Sequence, residues 1–410
     1  MLLRGNAVVG QSGGPTAAIN ATLSGVIKGA IDAKKEGIIG TLYGMRNGIE
    51  GFLKENLVDL FKRFENTDDL KTLEATPAAA LGSCRRKLKS HEEDAETYAR
   101  ILEILKKYDI RYFFYIGGND SMDTVLKLSR YAASHDYELR VVGVPKTIDN
   151  DLMATDHTPG FGSAAKFVAT TVKEIVRDIN VYTMDAVTIV EIMGRDAGWL
   201  TASAALASIG DLGPDLVYLP ERVFDEDNFV NDVKTRLEKH PAILVAVSEG
   251  VRFADGEYVG AGTQSGAVDV FGHKYLAGTG KVLESIVKNR IGCKVRSVEL
   301  SLTQRCASHM ASLTDINESV MVGKGAVKAA TEGRTGVMMT IDRAEGVEYA
   351  TTVGCADIAG IANAIKTVPT EYINNEGNGI TEAGIAYLKP LIMGELELEY
   401  ENGLPKHVII

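Results

Sequence analysis

Seven consecutive residues, Pro145-Lys146-Thr147-Ile148-Asp149-Asn150-Asp151, gather two carboxylates, an amide, a hydroxyl and an ammonium directly after the apolar run Leu139 to Val144. Such a run reads as a buried strand, and polar groups massed at a strand's C-terminal end sit where α/β sheets build their sites. The run Tyr112 to Ile116, followed by Gly117-Gly118-Asn119-Asp120-Ser121, has the same grammar, as does Ala7 to Gly10 followed by Gln11-Ser12-Gly13-Gly14-Pro15. Glycines at these turns let backbone N–H groups approach an anion, and a helix opening there adds partial positive charge. A tight turn needing small residues is the plain alternative, and for Ser121 or Asn119 a helix cap. Transfer of a phosphoryl group to an alcohol needs a carboxylate to take the hydroxyl proton as the oxygen attacks. Asp149 is the candidate base, and Asp151 the candidate for a cap or turn contact.

The second half carries complementary groups. Glu191-Ile192-Met193-Gly194-Arg195-Asp196-Ala197-Gly198-Trp199 ends an apolar run, so Arg195 is placed either to bind a phosphate or to pair with Asp196 or Glu191. Ser248-Glu249-Gly250 ends another, where Glu249 could accept hydrogen bonds from sugar hydroxyls. Arg85-Arg86-Lys87, Arg296 and Gln304-Arg305 supply the cations an anionic substrate needs.

These groups need strands to carry them. Candidate strands are Ala7–Gly10, Ile38–Tyr43, Tyr112–Ile116, Val141–Val144, Ala186–Ile192, Leu216–Leu219, Ile243–Val247, Val295–Leu300 and Val337–Ile341. Helical patterns fall between them at Pro15–Lys35, Ala95–Tyr108, Ser121–Ser134, Ser163–Ile179, Asp225–Lys239, Lys281–Arg290 and Ile316–Thr331. The alternation predicts α/β architecture with parallel sheets covered by helices. Nine strands exceed one half of a doubly wound fold, so two domains are expected. The polar segment Phe253 to Gly266 reads as a surface excursion, and the acidic Glu395 to Glu401 as a solvated tail strand or helix.

Composition narrows the function classes. The 410 residues have 45% hydrophobic and 24% charged content, typical of a globular protein with a substantial core. A net charge of −11 gives nucleic-acid binding no support from the whole chain. Cys84, Cys293, Cys306 and Cys355 form no CxxC pair, which points to reduced thiols rather than zinc or disulfides. No apolar leader opens the sequence and no run of apolar residues is long enough to span a bilayer. A soluble, cytoplasmic protein is the expectation.

Taken together the motifs resemble those of the phosphofructokinase family. They are SGG at Ser12–Gly14, GSCR at Gly82–Arg85, GGND at Gly117–Asp120, PKTIDND at Pro145–Asp151, TPGFGSA at Thr158–Ala164, MGRDAGW at Met193–Trp199, SEG at Ser248–Gly250 and QR at Gln304–Arg305. The resemblance covers Ser12 to about Arg305. It implies two Rossmann-like three-layer domains with mainly parallel sheets and the active site in the cleft between them. A donor domain is expected over 1–160 plus about 306–345, and a sugar-phosphate domain over 161–305 plus about 346–410. It further implies phosphorylation of fructose 6-phosphate at its 1-hydroxyl, with Mg²⁺ as cofactor. By the same resemblance Gly13 and Gly14 hold the donor, Asp149 is the base and Thr147 contacts the substrate's reacting end. Met193, Gly194, Arg195 and Glu249 hold the sugar, Arg305 its 6-phosphate, and Arg85 bridges donor and product phosphates. Arg296 resembles a residue that reaches a neighbouring subunit's site, which implies a homodimer or homotetramer.

Donor identity turns on two positions. Members of the family that use ATP have glycines where this chain has Asp120 and Lys146. Asp120 adds volume and negative charge where the nucleotide's α-phosphate would go, while Lys146 sets a cation beside the departing phosphate. This combination resembles the pyrophosphate-dependent branch. ATP-dependent phosphofructokinase, a sedoheptulose 7-phosphate kinase and a catalytically inactive paralogue are the alternatives. Asn119 stands where many relatives have an Asp that helps hold Mg²⁺, so Asp120 shares or replaces that role. Ala186 and Leu302 stand where many relatives have an Arg and a His or Tyr. Ser24 replaces a basic effector ligand, which argues against regulation by nucleotides.

Overall fold

The structure, a computed structural model, describes residues 2–210, 212–261, 278–346, 348–361 and 364–410. In chain order the main strands are β1 (Gly5–Gln11), β2 (Ile39–Met45), β3 (Leu57–Asp59), β4 (Ile110–Gly117), β5 (Arg140–Pro145) and β6 (Ala186–Ile192). They continue with β7 (Leu216–Tyr218), β8 (Ala242–Ser248), β9 (Lys294–Glu299), β10 (Val337–Arg343) and β11 (Thr351–Asp357). Seven of them form one sheet in the order β11-β10-β5-β4-β1-β2-β3, and four form a second in the order β7-β8-β6-β9. The second sheet is parallel throughout, and the first is parallel except for its edge pairs β2–β3 and β10–β11.

Alternation along the strands supplies a core on each face of each sheet. In β4, Tyr112, Phe114 and Ile116 enter one core, while Phe113 and Tyr115 enter the core on the opposite face. In β8, Ala242, Leu244 and Ala246 face one way, and Ile243, Val245 and Val247 the other. A strand covered on both faces reads as a continuous apolar run, because every side chain is removed from water. Two helices on the first sheet, Ile19–Lys35 and Leu313–Thr331, cross at close range. Gly25 and Gly323 make this possible, since a methyl on either would meet backbone atoms of the other helix.

Three expectations need correction. The first helix opens at Ile19 rather than Pro15, because the Ala18 N–H bonds to Thr16 Oγ1 and keeps residues 12–18 as a loop. Its N-terminus is therefore not at Gly13–Gly14. The Asn119–Ser134 helix has Gly118 at its N-cap with no side-chain cap, and Ser121 Oγ pairs instead with Ser12 Oγ. Strand β11 is hydrogen-bonded to β10 over seven residue pairs, so 351–357 joins the first sheet rather than the second domain assigned to 346–410. The acidic tail ends in a small hairpin, Tyr400–Glu401 against Leu404–Pro405. Of the surface excursion, 253–261 contains a turn closed by the Phe253 N–H to Glu257 O, and 262–266 lie outside the described residues.

Candidate active site

Strand order explains the site. Strands β5, β4 and β1 are parallel neighbours, so their C-terminal ends deliver the three polar loops to one edge of the first sheet. The chain goes from β1 outward to β2 and β3, then returns to β1's other side as β4, which makes the β1/β4 boundary the topological switch point. The C-terminal ends of β6 and β8, and the segment after β9, deliver Met193 to Ala197, Glu249 and Arg305. Residues from every one of these loops line one cleft of about 500 Å³.

At the donor end, Lys146 Nζ donates to Gly14 O at 2.6 Å. The lysine is only 3% exposed, and a Cβ on Gly13 would stand 3.3 Å from Nζ. Burial lowers the Lys146 ammonium to about 8 against the pull of Asp149. A Cβ on Gly14 would come 3.2 Å from Arg305 Nη1, so the glycine leaves room between two cations. Lys87 Nζ lies 3.2 Å from Asp120 Oδ1 on the cleft wall, and Arg85 lines the cleft beside them. These cations suit an anionic ligand in an otherwise acidic protein.

The base loop follows β5. The Asp149 N–H donates to Thr147 Oγ1 at 3.0 Å, and the Thr147 N–H donates to Pro159 O. Asn150, fully buried, takes φ 53° between the two aspartates. Burial pushes the Asp149 carboxyl up, Asp151 pushes it further, and Lys146 and Arg195 pull it back. Burial raises Asp151 as well. Two carboxyls sharing a desolvated loop titrate as a pair.

Across the cleft, the Gly194 N–H donates to Glu249 Oε1 at 3.3 Å, and Gly194 takes φ 144°, a conformation that side chains rarely adopt. Burial raises Glu249 to about 7. Arg195 pairs with neither suggested partner: Asp196 bonds Arg252 at 2.8 Å, and Glu191 accepts from the N–H groups of Gly278 and Gly280. The Arg195 Nε is buried without a hydrogen-bond partner. Met193 lines the cleft, its N–H bonded to Gln304 Oε1.

Two sequence-selected residues do not line this cleft: Gly194, whose N–H is bonded to Glu249, and Arg296, which is exposed on β9, an edge strand. Ala186 starts β6, Leu302 is 55% exposed, and Ser24 is buried with its hydroxyl on Glu74. Two cleft neighbours escaped sequence reasoning. Ile365 lines the cleft, and Lys366 reaches the base loop from behind.

No group of three or more His, Cys, Asp or Glu arranged for a metal occurs among the described residues. Asn119 is different. Its Nδ2 donates to Ala364 O at 3.3 Å, while its buried Oδ1 has no partner. An orphaned amide oxygen beside the Asp120 carboxylate fits a Mg²⁺ ion that takes most of its ligands from phosphates and water.

Known proteins match this arrangement. The family model described as Phosphofructokinase covers residues 6–330. A Methylococcus capsulatus protein named pyrophosphate–fructose 6-phosphate 1-phosphotransferase is 43% identical, over 99% of this chain and 96% of the relative. One of the same name from Xanthomonas campestris is 44% identical over the same shares. The crystal structure of a pyrophosphate-dependent phosphofructokinase from Nitrosospira multiformis superimposes with a TM-score of 0.89 at 39% identity, covering 98% of this chain and 95% of that one. With the cleft, its cations and its paired carboxyls in register with those motifs, the chain belongs to the phosphofructokinase family.

Proposed function

We propose that this chain is a phosphotransferase that moves a phosphoryl group from pyrophosphate to the 1-hydroxyl of fructose 6-phosphate, reversibly and with Mg²⁺. The observation that carries the choice of donor is the seating of Lys146 on the Gly14 carbonyl, with Asp120 at the same end of the cleft. Relatives that match nearly the whole chain bear the name of that activity.

In this reading pyrophosphate lies along Ser12 to Gly14 between Lys146 and Arg85. Asp120 fills the space that a nucleotide's α-phosphate would need, and its carboxylate repels that phosphate. The sugar lies against Met193, Gly194, Arg195 and Glu249, with Arg305 meeting its 6-phosphate. Asp149 takes the proton of the attacking hydroxyl, and Thr147 holds the Asp149 backbone in place. Lys146, itself buried, meets charge as it builds on the departing phosphate. Asn119 and Asp120 would hold Mg²⁺, whose chemistry is to neutralise the phosphate oxygens. Reversibility follows because both sides of the reaction carry phosphoryl bonds of comparable transfer potential.

The donor half of this reading comprises the first sheet with its helices, about 1–160 and 306–361, together with the tail from about 399, whose Val408 N–H bonds Thr76 Oγ1 and whose Ile409 carbonyl accepts from Arg63; the sugar half is the rest. Arg296, exposed on an edge strand, is assigned to the cleft of a second copy, in a homodimer or homotetramer. Cytoplasmic action goes with four free thiols and, among the described residues, with no helix long and apolar enough to cross a membrane. Steady-state assays with each donor test the function. Efficient turnover with ATP and none with pyrophosphate would overturn it.

A further inference from the structure

Lys366 stands in the part of the chain beyond the matched family model, which ends at residue 330. Its Nζ donates to Asn150 Oδ1 at 3.1 Å, Thr155 O at 3.1 Å and Asp156 O at 2.7 Å. An ammonium has three donors, so all of them are spent on one loop. The Lys366 backbone binds as well: its N–H donates to Asp151 O, and its carbonyl accepts from Trp199 Nε1, each at 2.8 Å. Two residues earlier Ala364 O accepts from Asn119, and between them Ile365 lines the cleft. Residues 364–366 therefore touch the donor end, the base loop and the MGRDAGW segment at once.

A buried ammonium is expensive unless oxygens replace its water. Burial lowers Lys366 to about 8, with Asp156 and Asp151 opposing the change and Arg343 adding to it. Placing it there makes chemical sense if it holds something. Asn150 stands in the left-handed region between Asp149 and Asp151, so anchoring its side chain fixes how both carboxylates are aimed.

We infer that Lys366 is a positioning residue for phosphoryl transfer, fixing the aim of Asp149 through Asn150, and that residues 364–366 couple that aim to the donor end. This rests on the reading above, in which Asp149 is the base.

The test uses the full chain as wild type, Lys366→Met and Lys366→Arg, assayed with pyrophosphate and fructose 6-phosphate across pH. Misplacing a catalytic group by about 1 Å loses about 10²-fold, so Lys366→Met is expected to lower kcat by ~10- to 100-fold with KM for pyrophosphate little changed. Its acid limb of kcat/KM moves to higher pH, because a cation facing Asp151 is gone. The other charges facing the pair remain: Lys146, Arg195 and Arg305, and the anionic Asp196 and Glu249. Lys366→Arg restores most of kcat and returns the limb. Asn150→Gly, which keeps the left-handed backbone and removes the anchor, lowers kcat too and reads out the contact if Lys366→Met fails to fold. Wild-type kcat in Lys366→Met, or losses in which the limb stays put and arginine rescues nothing, would overturn the inference. Wild type inert towards pyrophosphate would instead sink the functional reading.

Discussion

Lys146 Nζ donates to the Gly14 carbonyl oxygen at 2.6 Å, across 132 residues of sequence. The contact ties the end of β5 to the loop after β1 and fixes an ammonium relative to the two glycines. A cation held this way needs no reorganisation when charge builds on a bound phosphate, which is the condition for strong electrostatic catalysis.

Replacing Lys146 by Met is therefore expected to reduce kcat with pyrophosphate by ~10²- to 10³-fold. The double substitution Lys146→Gly with Asp120→Gly removes both the cation and the obstructing carboxylate. Its ratio of kcat/KM for ATP over that for pyrophosphate is expected to rise at least ~10-fold above wild type. Initial rates with both donors measure this, and an unchanged ratio would remove Asp120 and Lys146 from the account of donor choice.

Asp149→Asn is expected to lower kcat by ~10²- to 10⁴-fold, the usual contribution of a general base. The pH profile has a defined sign. Burial and then Asp151 raise the Asp149 carboxyl, so the base is protonated and idle at low pH, and activity climbs as the pair ionises. Lys146, lowered by burial to about 8, loses its charge on the alkaline side, so the profile falls again there. In Asp151→Asn the acid limb should shift to lower pH, because one like charge has gone. A limb that stays in place would assign the titration to another group.

Much of this site was readable because strands buried on both faces announce themselves as apolar runs, and the polar groups follow at their ends. All nine strands expected from the sequence are present, and Asp149, Lys146, Arg195 and Glu249 share one cleft. What escaped has a local signal too weak to see. Strands β3 and β11 lie at sheet edges, where half-exposed residues such as Leu57 and Val353 give no clear alternation. Lys366 is a single lysine in a segment without periodicity, and only tertiary packing brings it behind Asn150. Ser121 looked like a cap because spacing cannot reveal Ser12, 109 residues away.

Gly25 and Gly323 set the spacing of two helices that carry the first sheet's core. A methyl at Gly25 would meet the Val320 carbonyl, and one at Gly323 the Thr22 carbonyl, neither of which can swing aside. Overpacking of this kind typically destabilises by ~1–3 kcal/mol. Gly25→Ala is thus expected to lower the urea midpoint with the m-value unchanged, while kcat of the folded fraction stays near wild type. Unchanged unfolding would mean that the helices separate freely.

The last prediction concerns a buried charge network behind the base loop. His157 Nδ1 bonds Asp156 Oδ1 at 2.8 Å, and Nε2 bonds Glu318 Oε2 at 2.6 Å. With an acceptor facing each nitrogen, both must donate, so the ring is an imidazolium. Burial opposes its charge, yet Asp156 and Glu318 outweigh burial and raise its pKa. Burial likewise opposes the two carboxylates, but His157 and then Arg343 hold Asp156 low, and His157 with Tyr349 and Thr351 holds Glu318 low. The signs follow from linkage. The histidine's contribution is full below its unfolded pKa of ~6.5 and is lost as pH rises through the raised folded value. The carboxylates contribute fully above ~4 and lose that contribution as pH falls through their depressed values. The network is therefore strongest between those limits and weakens on the alkaline side. His157→Gln leaves the buried Glu318 carboxylate without its cation, while Asp156 keeps Arg343 at 3.0 Å, a change expected to cost about 3–5 kcal/mol near neutral pH. It should also flatten the alkaline decline in stability. Urea unfolding of wild type and variant at about pH 6 and about pH 9 measures both effects. If the gap between the two proteins were equally wide at both values, His157 would not be the charged member of the network.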